Sequence, residues 1–156
     1  MFEWLEGTRP ALWVGESLWG YPIMLALHAV GLATVVGIFV MRDLRLLGAF
    51  RGFSFAAMTS LFKLAWTGFF INAVSGSFLF SSQATLFVTS TPFLTKITLI
   101  LAAVIIAVVI QIRMRRDASA WDQSGAAPPA SVRALSFASL ASWIGVISAG
   151  RLIAYL

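Results

Sequence analysis

Polar residues arrive in short bursts along this chain, and four long apolar stretches run between them. The first extends from Ser17 or Pro22 to Met41, the second from Phe55 to Phe80, the third from Pro92 to Ile112 and the fourth from Ala134 to Leu156. Each is close to the ~20 residues that a helix rising ~1.5 Å per residue needs to cross a hydrocarbon layer. Lipid offers no partner to an open backbone group, so segments this long and this continuously apolar read as helices and not as barrel strands. The pattern therefore predicts an all-α integral membrane four-helix bundle, one transmembrane domain over residues 1–156.

The flanks refine the boundaries. Pro22 suits the first turn of a helix, where a missing N–H costs nothing. Trp4, Trp13, Trp19 and Tyr21 then form an interfacial aromatic belt. Residues up to Gly15 make a short amphipathic segment on the membrane surface or against a partner. No cleavable leader is expected, since the chain opens on Glu3 and Glu6 and its first apolar run is too long for one. Between the third and fourth stretches, Asp117 to Val132 holds Gly125 and Pro128-Pro129 among small and polar residues, and predicts a flexible loop.

Charge sets the direction of insertion. Arg42, Arg45 and Arg51 follow the first apolar stretch, and Arg113, Arg115, Arg116 and Arg133 surround the third connection. The connection from Ser81 to Thr91 carries no charge at all. Connections one and three share a face in a four-helix chain, and positively charged connections stay in the cytoplasm. Both termini are thus expected outside.

Composition supports the membrane reading and narrows the chemistry. Only 11% of residues are charged and 60% are hydrophobic, against about a quarter charged in soluble domains. A net charge of +5 would draw nucleic acid only if spread over a polar surface. Little such surface exists, so nucleic acid is not an expected partner. With no cysteine, disulfides, thiolate metal sites and a cysteine nucleophile are excluded.

An ionisable side chain at mid-membrane costs about 2.5–3.5 kcal/mol on insertion scales, so each needs a reason. The candidates are His28, Lys63, Asn72, Lys96 and Arg151, with Glu16 at the edge. At ~1.5 Å per residue, His28 lies about 20 Å from the end of its helix near Met41, and Lys63 about 12 Å from Phe55. The two are expected near one layer. Asn72, Lys96 and Arg151 fall in an outer layer. His28, the single histidine, is read as a donor across a helix interface, or as an axial haem ligand, a metal ligand or a proton relay. Lys63 is expected to snorkel or to pair with Asp43. Lys96 and Arg151 are expected to snorkel or to pair with Glu16, or else to form a cationic pocket for an anion or haem propionates. Asn72 reads as interhelical glue.

Asp43 with Arg42, Arg45 and Lys63 predicts an ion-pair cluster that fixes how the first helix meets the second. Rows of small residues, Ala29, Ala33 and Gly37 with Ala73 and Ser77, predict a close helix contact. Thr59, Ser60, Thr67, Ser75 and Ser77 are expected to bond their own helix backbone. Catalysis has little support: no carboxylate pair lies in the bilayer, and His28 lacks the neighbours of a zinc site.

Several blocks together resemble a family. Tyr21-Pro22, His28, Gly31 and Asp43-Leu44-Arg45-Leu46-Leu47-Gly48 are followed by Ser75-Gly76, Leu79-Phe80, Pro92-Phe93 and Lys96. The chain closes on Gly150-Arg151-Leu152-Ile153-Ala154-Tyr155. This series resembles an uncharacterised family of small bacterial four-helix inner-membrane proteins. The Pro-Phe…Lys segment is more distantly similar to the membrane region of copper-resistance D-type proteins. The resemblance implies a bacterial inner membrane location and carries no activity with it. Copper transport would call for more than one histidine and five methionines.

Three functions follow in order of expectation. The first is a non-catalytic membrane subunit that oligomerises or accompanies a larger complex. The second is a haem-b electron-transfer protein using His28, with Lys96 and Arg151 against the propionates. The third is a small transporter or ion-translocating protein built on His28 and Lys63.

Overall fold

The computed structural model describes residues 2–125 and 127–155. Among them the chain is helical, with no strand. Two short helices, α1 (Glu3–Glu6) and α2 (Arg9–Glu16), precede the long α3 (Gly20–Leu46). Next come α4 (Phe55–Ser60), α5 (Phe62–Ser81), the single turn α6 (Ala84–Phe87), α7 (Thr91–Ser124) and α8 (Ala130–Leu152). A 3-10 turn, Ile153–Tyr155, follows. Four stretches are long and apolar enough to cross a membrane: α3, α4 with α5, α7 and α8. Their mean hydropathies are 2.4, 1.3, 2.7 and 1.4. The two higher values belong to α3 and α7, whose side chains are also the less buried.

The helices pair as α3 with α5 and α7 with α8. The first pair touches through backbone. A Cβ at Gly31 would meet the Asn72 nitrogen at 2.6 Å and the Gly68 oxygen at 2.7 Å. The expected rows lie elsewhere: Ala29, Ala33, Gly37, Ala73 and Ser77 are all exposed. Spacing by four marks any stripe of a helix, and the stripe that faces the partner is the one through Gly31 and Val35.

Two hydrophobic cores join the pairs. One gathers Val35, Phe39, Ala65, Ala103, Ala107, Trp143 and Val146. The other, toward the arginine-rich connections, includes Leu46, Phe55, Phe62, Ile110, Met114 and Trp121. Between them Arg42 and Asp43 are sealed, 1% and 0% exposed, and paired at 2.7 Å. Arg42 also donates to the Ser139 hydroxyl and the Ala107 carbonyl, on α8 and α7. The expected cluster is thus smaller than its sequence neighbourhood. Arg45 turns away, donating to the Phe53 carbonyl and stacking on Phe55.

Boundaries differ from expectation most in the second and third spans. The second span is interrupted at Leu61. The third helix runs on through Ser124, where a flexible loop from Asp117 was expected. Met114, Ala118 and Trp121 fall on one face and are buried in the core, so packing holds a stretch whose composition looked loose. Gly125, at φ +62°, ends it. Ala126 within that connection, and Leu156 at the expected end of the last span, lie outside the described residues.

In α2 of the N-terminal segment, Ala11 and Val14 are buried while Leu12 and Trp13 are exposed. Glu6 ties α1 to α6 by accepting from the Thr85 amide at 2.8 Å and the Thr85 hydroxyl. The Thr85 hydroxyl, then its amide, hold the Glu6 carboxyl below the usual carboxylate range. The five serines and threonines of the second span each donate to a carbonyl three or four residues back.

Candidate functional site

Toward the end that carries the termini, the two helix pairs leave a space between them. No residue of α7 before Ala103 is buried, so nothing there continues the core. Two cavities of about 340 and 490 Å³ occupy the gap and share His28, Gly76, Phe80, Phe93 and Lys96 as walls. They form one cleft. Its size falls in the range of small-molecule and cofactor sites.

α3 and α5 hold His28 in a reciprocal clamp. The ring Nδ1 lies 3.0 Å from the Asn72 carbonyl, while the Asn72 side-chain amide donates to the His28 carbonyl at 2.8 Å. A carbonyl can only accept, so Nδ1 carries the proton. In the neutral ring Nε2 is then left with its lone pair, and it has no hydrogen-bond partner among the described residues. Gly76 makes room for the ring, since a Cβ there would come within 2.9 Å of His28 Cε1. Ser75 approaches Nδ1 at 3.4 Å but donates more closely to the Ile71 carbonyl, at 2.6 Å.

The opposite wall is cationic at its polar points. Lys96, half-buried on α7, runs its stem past Gly150 of α8. Arg151 lines the cleft's mouth, donating to the Tyr155 hydroxyl at 3.2 Å. Neither cation meets a carboxylate among the described residues. The expected pairing with Glu16, exposed at the end of α2, does not form. The rest of the wall is apolar. Phe80, Phe87 and Phe93 stack, with centroids 5.3 to 6.3 Å apart.

Of the intramembrane residues singled out from the sequence, the structure brings His28, Asn72, Lys96 and Arg151 together and leaves Lys63 out. Lys63 is exposed beside Arg115 in a separate recess. Nine residues separate it from Asn72, which is two and a half turns of helix. The two therefore point in opposite directions, and Lys63 reaches neither His28 nor Asp43. The aromatic stack and Gly76 escaped notice as site residues. A phenylalanine facing a cleft and one facing lipid look alike in sequence.

No protein-family model matches this chain, and neither a curated protein nor a solved structure does.

Proposed function

We propose that this chain is a multi-pass protein of the bacterial inner membrane that holds a haem b in the interhelical cleft and serves as an electron-transfer subunit. In this reading the four spans form a bundle with both termini outside and the arginine-rich connections in the cytoplasm. Arginine placement and the family resemblance support that orientation and location.

The observation that carries the haem reading is the state of His28. Its Nδ1 is committed to a backbone carbonyl, its Nε2 has no partner among the described residues, and its ring lines a cleft of cofactor size. A histidine ligand held this way has its tautomer and ring angle fixed before metal arrives. The residues present fit the group in other respects. Phe80 and Phe93 offer aromatic walls, and Lys96 and Arg151 are cations without carboxylate partners, suited to two propionates. The cofactor would supply one-electron chemistry at a potential set by its ligand and the dryness of the site. The chain's part is to hold His28, neutralise the propionates and exclude water.

With a single histidine, this chain would give the group one such ligand, and a second would come from another donor. That requirement favours a homo-oligomer or a partner subunit, and joins the haem reading to that of an accessory subunit of a larger complex. Translocation through His28 and Lys63 loses its motivation, because His28 on α3 packs on the Asn72 face of α5 and Lys63 leaves α5 on the opposite side.

The test is the visible spectrum of protein purified from membranes or incubated with haemin. The expected result is a Soret band that disappears in His28→Ala and survives in Lys63→Met. A wild-type protein that stays colourless after incubation would refute the reading.

A further inference from the structure

The opposite end holds a second cavity, about 720 Å³, between the α3–α4 connection and the start of α8. Three guanidinium groups line it, those of Arg45, Arg51 and Arg133. One carboxylate, Asp122, also lines it. Both Asp122 oxygens are already engaged, accepting from the Phe55 and Ala56 amides at 2.8 and 2.9 Å. That carboxylate is held at the start of α4 and makes no ion pair with the arginines among the described residues; the arginines outnumber it three to one.

Their geometry is also prepared. Arg45 donates through Nε to the Phe53 carbonyl at 2.6 Å, and Arg51 through Nε to the Gly48 carbonyl at 3.3 Å. Each is thereby anchored by one nitrogen, and its two terminal nitrogens have no partner among the described residues. Arg133 has none for any nitrogen. Of the other arginines, Arg42 pairs with Asp43, Arg116 with Asp117, and Arg113 donates to Ser131, while Arg9 and Arg115 have no partner among the described residues and share no cavity with each other. Arginine retained only to set membrane orientation has no need to converge on one concavity.

We infer that this cavity is a phosphoryl-anion site, in which Arg45, Arg51 and Arg133 hold the phosphate of a lipid headgroup or a free phosphate. The planar fork of arginine suits phosphate oxygens in paired hydrogen bonds. Basic pockets at the ends of membrane helices take anionic headgroups by the same chemistry. The inference is independent of the haem reading, since no residue is shared between the two sites.

The experiment uses the full chain in nanodiscs. One arm counts phosphatidylglycerol retained in native mass spectrometry, and the other titrates inorganic phosphate in discs of neutral lipid. Arg51→Gln with Arg133→Gln is compared with Arg113→Gln, which removes an equal kind of charge outside the cavity, with helicity checked by circular dichroism. A lipid phosphate predicts that the double variant loses roughly tenfold or more in lipid retention while Arg113→Gln stays near wild type. A free phosphate predicts a loss of that size in the phosphate titration alone. Equal losses in the double variant and Arg113→Gln, or none in either arm, would overturn the site.

Discussion

At the arginine-rich end, α3, α4, α7 and α8 close on one another around Phe55, Met114 and Trp121, and the buried charges find each other. At the end that carries the termini, the same helix pairs part, and the ionisable groups between them do not. Arg42 is sealed beside a carboxylate; Lys96, half-buried, and Arg151, exposed at the cleft's mouth, meet none among the described residues. Both ends hold cations inside apolar surroundings, which is costly unless they are paired. Pairing within the chain makes Arg42 and Asp43 architecture. Its absence makes the open end a place for something else. Burial of charge alone therefore does not mark a site; burial without an internal partner does.

The sharpest way to break this contrast is to unpair the closed end. Arg42→Met leaves Asp43 buried and unmatched, and is expected to cost about 3–5 kcal/mol. Arg42→Met with Asp43→Leu should recover much of that loss. Thermal unfolding in detergent micelles, followed by circular dichroism, reads both. A single variant as stable as wild type would mean the pair contributes nothing to closure.

A smaller effect separates real from apparent helix contacts. Gly31→Ala drives a methyl into the α5 backbone, at an expected cost of about 1–3 kcal/mol. Gly37→Ala meets nothing within 4 Å and should stay within about 0.5 kcal/mol of wild type. The same unfolding assay should rank them in that order.

At the open end, Gly76→Ala pushes on the His28 ring and leaves the α3–α5 backbone contact at Gly31 untouched. Its expected signature is haem affinity lowered about 10-fold or more, as when an outer-shell partner of a metal ligand is disturbed, with stability nearly unchanged. Haemin titration followed at the Soret band reads the affinity. Equal affinity would detach His28 from the cleft's function.

The smallest effect concerns the Glu6–Thr85 contact. Its carboxyl is depressed in the folded chain, so its contribution is present above the ordinary carboxylate range and disappears as pH falls through the folded value. Protection of the Thr85 amide, measured as exchange relative to its intrinsic rate, should fall on acidification below that range. In Glu6→Gln it should be insensitive to pH.

The four spans were legible because lipid writes them in long apolar runs, and length alone separates such a run from a core helix. Asn72 and His28 could be placed in the bilayer, and the reading of His28 as a donor across an interface agrees with its bond to Asn72. Facing was harder to read. A helix that is apolar all round has no polar face to report its angle, so the Ala29–Ala33–Gly37 row looked as good as the stripe through Gly31. Lys63 was assigned by depth alone, and depth says nothing about the half-turn that points it away. The extension of α7 through Trp121 was hidden by its small and polar neighbours. Only contact with Phe55, 5.6 Å between rings, shows why it stays helical.

The cleft itself admits one direct measurement. Because the chain has no cysteine, a single Ser77→Cys on the cleft wall and a single Ala107→Cys in the sealed core can be probed with a small maleimide in proteoliposomes, with and without haemin. The expected result is that Ser77→Cys reacts and is protected by haemin, while Ala107→Cys is inert in both conditions. Ser77→Cys labelling that haemin leaves unchanged, or Ala107→Cys labelling as fast as Ser77→Cys, would contradict a core sealed around Arg42 and Asp43 beside a cleft open to a cofactor.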